Sequence, residues 1–270
     1  MTETAAGKQT SETLYAVEDG IARITLNRPQ AHNAWTLSME EEYFDLLEQA
    51  AADRAVRVIL LSGSGTVFCP GYDMTILAQV AASGAADYVV GRRPQTFPLS
   101  IPKPIVCSIN GACAGIGLVQ ALMCDIRFAV ANAKMTTSFS RRGLIAEHGT
   151  SWLVPRLVGL PNALDLLISG RVILADEALA MGLVNFVAPA DELEARAIAY
   201  ARDLADNASP TSMMTIKSQV YRHSADVALS TALEESDELM RAAFDRPDFD
   251  EGISSFRERR APHFLPIGGE

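Results

Sequence analysis

The sequence predicts an α/β fold with a helical C-terminal region, on three observations. Apolar strand-like runs alternate with helical runs from about residue 13 to residue 190. Two of those strands run into glycine-containing turns, in VFCPGYD at 67–73 and in IVCSINGACAGIGLVQALMCD at 105–125. After about Ala190 the strand signals stop, and every segment reads as helix.

Taken in order, TLYAVEDGIARITLNRP reads as a hairpin turning at Asp19-Gly20. SMEEEYFDLLEQAAAD follows as an amphipathic helix, with Ser38 and Glu41 at the spacing of a capping box. RVILLSG and PIVCSIN are apolar strands, and DIRFAVA is a third, placed after the Gly-rich helix GLVQALMC. HGTSWLVPRLVG reads as a helix, as does PNALDLLISG, which has Pro near its start and Gly after its end. ADEALAMGLV repeats that logic, with Asp176 as N-cap and Gly182 as stop. DELEARAIAYARDLAD, PTSMMTIKSQVYRHS, ADVALSTALEESDELMRAAF and DFDEGISSFRERR are all helical, and no low-complexity linker precedes them. The expected organisation is a flexible tail over 1–12, a core over 13–190 and a helical region over 191–270.

The 270 residues are 49% hydrophobic, enough for a sizeable core. Net charge is −10 with no basic stripe, which argues against a nucleic-acid partner. Cys69, Cys107, Cys113 and Cys124 lie in apolar runs without metal-ligand spacing. They read as buried free thiols in a reducing compartment, with no metal site. MTETAAGKQTSE is polar and lacks the apolar stretch of a signal peptide, so the expected location is cytoplasmic. The apolar run from Ile105 to Cys124 is long, but Asn110, Gln120, its small Gly and Ala residues and the flanking Pro104 mark it as buried core, not membrane.

The two glycine turns carry the chemistry. Glycine lets a backbone turn sharply and lets a ligand approach the peptide N–H groups. A turn feeding a helix start aims unpaired N–H donors, with a helix dipole behind them, into the ligand space. Two such donors can hold a developing oxyanion.

NGACAGIGLVQALMCD resembles the NG-x-x-x-G-x-G segment of the crotonase superfamily of enoyl-CoA hydratases and isomerases. FCPGYD resembles that family's F-C-x-G-x-D segment. The resemblance runs from about Leu14 to the C-terminal APHF. It implies a core of ββα units wound into a spiral, and a helical C-terminal region that builds a homotrimer or a dimer of trimers. The bland alternative is that those helices only cover the monomer. It also implies a coenzyme A thioester substrate with no separate cofactor. A protein of net charge −10 must then place its basic groups locally to meet that anionic ligand.

By the same resemblance the oxyanion donors are the backbone N–H groups of Tyr72 and Ile116. The hydratase pattern also places two glutamates, and at those positions this chain has Val119 and Phe139. Neither can carry a proton, which argues against ordinary hydration. Glu147, in RRGLIAEHG, is the acid left in the region, flanked by Leu144, Ile145 and Ala146. An apolar site would raise its pKa and suit it to proton transfer. GLIAEHG is similar to the GLI-x-EGG segment of Δ3,Δ2-enoyl-CoA isomerases, where one Glu moves a proton from C2 to C4. Dienoyl-CoA isomerases and 4-chlorobenzoyl-CoA dehalogenases carry an acid at the same place. The alternative is that Glu147 is a first-turn acid of the next helix.

His148 is a candidate for orienting Glu147, or a structural residue. NRPQAHNAW resembles the family's stretch beside adenine and pantetheine, which makes Arg28, His32 and Ala34 candidate coenzyme A contacts. Arg28 reads equally well as a solvated loop charge. FRERRAPHF resembles the family tail near the nucleotide, with Phe256 and Arg259 as candidates. Asp73 reads as a loop hydrogen-bonder. The leading expectation is an enoyl-CoA isomerase. Its rivals are an atypical hydratase or hydrolase of the same superfamily, and a non-catalytic acyl-CoA-binding scaffold.

Overall fold

The structure is a computed structural model that describes residues 11–83, 92–225 and 227–269. The hairpin strands are β1 (Thr13–Glu18) and β2 (Ile21–Leu26). Asp19 and Gly20 have φ of 49° and 76°, the paired positive angles that a two-residue hairpin turn needs. β2 continues into a parallel array of β3 (Val58–Gly63), β5 (Ile105–Ile109), β7 (Ile126–Val130) and β10 (Phe186–Ala188). These strands read as unbroken apolar runs because both sheet faces are covered.

A second sheet runs β4 (Val67–Cys69), β6 (Ala112–Ala114), β8 (Lys134–Thr136) and β9 (Ile173–Leu174). The chain alternates between the sheets. β3 leads to β4 and then α2 (Met74–Ser83); β5 leads to β6 and then α3 (Ile116–Leu122). β7 and β8 repeat the step ahead of α4 (Thr150–Ser169). This is the expected ββα winding.

α1 (Leu37–Ala52) starts earlier than the capping-box spacing indicates. Thr36 is its N-cap, with an extended backbone and a hydroxyl that accepts the Met39 N–H at 3.0 Å. Ser38 lies inside the first turn and donates instead to Glu12 Oε2 at 2.7 Å. Glu12 also pairs with Arg28 at 3.0 Å, so this end of the expected tail belongs to the fold; residues 1–10 lie outside the described residues. The two helices expected over 148–170 meet end to end in α4, where Gly159 (φ 75°, ψ 159°) breaks the backbone. α5 (Ala175–Ala180) has Leu174 as N-cap, and Asp176 sits in its first turn without capping it. Gly182, at φ 82°, does end that helix.

The core continues past residue 190. α6 (Leu193–Asn207) buries Leu193, Ala197, Ala201 and Ala205, one residue per turn, within the same hydrophobic core. α7 (Pro210–His223) is held by Lys217 Nζ, which donates to Asp125 Oδ2 at 2.8 Å, and by the Tyr221 hydroxyl, which donates to Asp125 Oδ1 at 3.0 Å. α8 (Leu229–Phe244) buries no residue, and α9 (Pro247–Glu258) buries only Ser255. All four cysteines are buried free thiols. Among the described residues, no helix is long and apolar enough to cross a membrane.

Candidate active site

β4 ends at Cys69 and turns at Gly71, whose φ of 125° suits only glycine. Trp35 pairs with this turn on both sides of Tyr72. The Trp35 N–H donates to Gly71 O at 2.8 Å, and the Asp73 N–H donates to Trp35 O at 2.9 Å. In an extended segment, alternate residues direct their polar groups to opposite sides. The Tyr72 N–H is therefore aimed away from Trp35, and Tyr72 is one of the residues that line a cavity.

β6 ends in Gly115 (φ 52°, ψ −126°), the residue before α3. The Gly115 N–H donates to Thr136 O at 3.1 Å, and the Val119 N–H returns to Gly115 O at 3.0 Å. Ile116 is the first residue of α3, so its N–H has no acceptor within the helix. With seven residues, α3 puts only a short helix dipole behind that donor.

The two turns touch: a Cβ built on Gly115 would lie 3.7 Å from Gly71 Cα. Gly117 explains how they come so close. A Cβ there would stand 2.3 Å from Cys69 O and 2.6 Å from Cys69 Cβ. Burial pushes the Cys69 thiol up to about 12, so it packs behind the turns as a protonated thiol.

Glu147 faces the turns across a cavity of about 130 Å³, lined also by Gly71, Tyr72, Gly115, Ile116 and Phe139. Cavities of about 520 Å³ and 640 Å³ exist elsewhere. Neither joins an acid to the two turns, so chemistry and not size places the site. The Glu147 side chain is 25% exposed, not sealed among apolar groups as its neighbours in sequence indicate. Ile145 is 78% exposed and lies outside the lining, while Leu144 lines the cavity with Glu147 and is still 45% exposed. Glu147 does not cap α4. Gly149 is the N-cap residue there, and Thr150 holds the Glu147 carbonyl through its N–H (2.9 Å) and its hydroxyl (2.6 Å). His148 Nε2 lies 3.2 Å from Glu147 Oε2 but off the line of a hydrogen bond.

The structure thus brings Tyr72, Ile116 and Glu147 to one cavity, with His148 beside Glu147. Phe139 lines it too, while Val119 is buried inside α3. The five proposed coenzyme A contacts are not among its lining residues. Arg28 is no solvated charge: it pairs with Glu12 (3.0 Å) and Asp73 (3.1 Å) and donates to Ala34 O at 2.5 Å. His32 closes the short turn Pro29–Ala31 at φ 54° and is exposed. Phe256 is 84% exposed on α9, and Arg259 follows that helix at φ 56°. Asp73 accepts from the Thr75 N–H and hydroxyl, as a loop hydrogen-bonder should. Sequence reasoning missed Met74 and Arg142, which also line the cavity. Neither carries a spacing signal that would have singled it out.

Residues 16–266 match the family described as enoyl-CoA hydratase/isomerase. The enoyl-CoA hydratase ACTT3 of Alternaria alternata is 34% identical over 248 residues, covering 91% of this chain and 83% of that protein. The 1,2-epoxyphenylacetyl-CoA isomerase of Escherichia coli (strain K12) is 33% identical over 255 residues, covering 92% and 96%. Among solved structures, a probable enoyl-CoA hydratase/isomerase from Mycobacterium abscessus superposes with a TM-score of 0.88 at 25% identity, over 95% of this chain and 100% of that one. The chain belongs to the enoyl-CoA hydratase/isomerase, or crotonase, family of acyl-CoA-processing enzymes.

Proposed function

We propose that the protein is an enoyl-CoA isomerase. The supporting observation is the cavity's make-up: two turn donors and one carboxylate, Glu147, with Phe139 where a hydratase would carry an acid. In this reading the thioester oxygen sits between the Tyr72 and Ile116 amides. Glu147 takes a proton from C2, the electron pair delocalises into a dienolate on the thioester oxygen, and Glu147 returns the proton at C4. The double bond moves from C3–C4 to C2–C3. Protons and electrons balance without water or a cofactor beyond the coenzyme A thioester. Relatives carry both hydratase and isomerase names, so family membership does not choose between the two.

Product analysis chooses. A 3-enoyl-CoA should be converted to its 2-enoyl isomer, and crotonyl-CoA should be hydrated weakly or not at all. Glu147→Gln should lower solvent-deuterium exchange at C2 by about 10²–10⁴-fold while acyl-CoA still binds. Exchange at the wild-type rate in that variant, or hydration at an ordinary hydratase rate in the wild type, would overturn the proposal. Absence of any turnover in the wild type would favour an acyl-CoA-binding scaffold.

The same reading makes the assembly a trimer or a dimer of trimers. Its support is α8, which buries nothing and presents Leu229, Leu233, Met240 and Phe244 in one exposed stripe.

A further inference from the structure

We propose that Glu40 is a positioning residue that holds both oxyanion donors in register. The inference rests on the reading of Tyr72 and Ile116 as those donors. Glu40 lies on the buried face of α1 with Tyr43, Phe44 and Leu47, and is 4% exposed. A carboxylate among aromatic side chains is costly unless it is fully paired. Here it is. Arg92 Nε donates to Oε1 at 2.8 Å and Arg92 Nη2 to Oε2 at 2.5 Å, a two-pronged, charge-assisted contact. Gln95 Nε2 and Trp35 Nε1 donate to Oε2 at 2.8 and 3.1 Å.

Each arm then leads to a donor segment. Trp35 is the residue whose backbone brackets Tyr72 through Gly71 and Asp73. Arg92 Nη2 donates onward to the Tyr72 hydroxyl at 3.2 Å. Gln95 Oε1 accepts from Gln120 Nε2 at 2.6 Å. Gln120 lies one turn after Ile116 on α3 and is fully buried. Two arms therefore end on the Tyr72 turn and one on the helix that presents Ile116. Core stability alone would be served by apolar side chains of similar volume. The carboxylate instead ties together two turns whose N–H groups must converge on one oxygen, where small misplacements are costly.

The test is the carbonyl stretch of a saturated acyl-CoA, labelled with ¹³C at the thioester carbon and bound to the protein. Binding to the wild type should lower that frequency. Glu40→Gln should lose most of the shift, and kcat for the double-bond migration should fall roughly tenfold or more, while Kd for the acyl-CoA changes far less. Tyr72→Phe and Gln120→Leu, which cut one arm each, should each lose part of the shift. Tyr72→Phe added to Glu40→Gln should cost nothing further, because both act on one chain of contacts.

A wild-type shift in Glu40→Gln overturns the proposal, even if the variant melts earlier. If that variant does not fold, wild-type shifts in both Tyr72→Phe and Gln120→Leu overturn it. No proton moves in this measurement, so Glu147→Gln should keep the full shift and failure of the isomerase chemistry leaves the readout intact. Absence of any shift in the wild type would instead overturn the oxyanion reading, and this inference with it.

Discussion

On one side of the cavity, the turns at Gly71–Tyr72 and Gly115–Ile116 are fixed from behind by Cys69, by the Trp35 bridge and by the Glu40 network. On the other side, Glu147 stands in a largely exposed segment that starts at Arg141. Its backbone takes left-handed angles at Gly143, His148 and Gly149, and two bonds from Thr150 anchor its carbonyl. In the proposed isomerase the first side acts through backbone atoms, which any residue supplies, and depends on close packing. The second would act through one carboxyl group and would depend little on what packs around it. A change on the first side should therefore cost stability and activity together, and a change on the second should cost activity alone.

Glu147→Gln, with its loss of C2 exchange, should leave the unfolding midpoint nearly unchanged, because Gln keeps the shape of Glu and the side chain lies outside the buried core; about 0.5 kcal/mol or less is expected. Gly117→Ala should do the opposite. Its Cβ meets the Cys69 carbonyl at 2.3 Å, so β4 and α3 must separate. Overpacking of this kind costs about 1–3 kcal/mol, or roughly 2–4 °C in Tm per kcal/mol. Both donors move with those elements, so kcat should also fall by about 10²-fold. Thermal melts and turnover of the two variants, measured side by side, decide the matter. A Gly117→Ala protein with wild-type Tm and rate would erase the contrast between the two sides.

That contrast also governs what was legible in the sequence. Glycines that permit close approach stand out in an apolar run, so both turns and the strands feeding them could be read directly. The Glu147 environment could not, because flanking Leu and Ile in sequence say nothing of which way they point in a loop without periodicity. Thr36 is the cap and not Ser38 because Thr36 is the residue whose backbone is still extended before the helix; Glu12, distant in sequence, takes the hydroxyl protons of both. Glu40 did leave a signal: an acid three, four and seven residues before Tyr43, Phe44 and Leu47 shares their helical face. Its partners Arg92, Gln95 and Trp35 become neighbours only through tertiary packing.

The C-terminal helices extend the comparison. α6 sinks an alanine stripe into the core, whereas α8 leaves its apolar stripe outside. Leu233→Asp should therefore leave the monomer fold intact and shift the proposed trimer or hexamer towards smaller species, as read by light scattering across a dilution series. A wild type that stays monomeric at every concentration would defeat the assembly proposal.

The smallest effect is expected at Asp73, on the outer edge of the Tyr72 turn. The Thr75 N–H, then the Thr75 hydroxyl and Arg28, hold its carboxyl below the usual carboxylate value of 3.8. A depressed folded-state pKa means that the charged form favours folding. The contribution is present above pH 3.8 and is lost as pH falls through the lower, folded-state value. Asp73→Asn should thus destabilise the protein by about 1 kcal/mol or less at pH 7, given partial solvent screening. The gap from wild type should narrow in urea titrations carried below pH 3.8. Turnover should change little, because the Trp35 bridge uses the Asp73 backbone and not its carboxylate. A gap that persists unchanged into acid would assign Asp73's contribution to neutral hydrogen bonding. A large loss of turnover would mean that the Tyr72 turn depends on its rim as well as on the packing behind it.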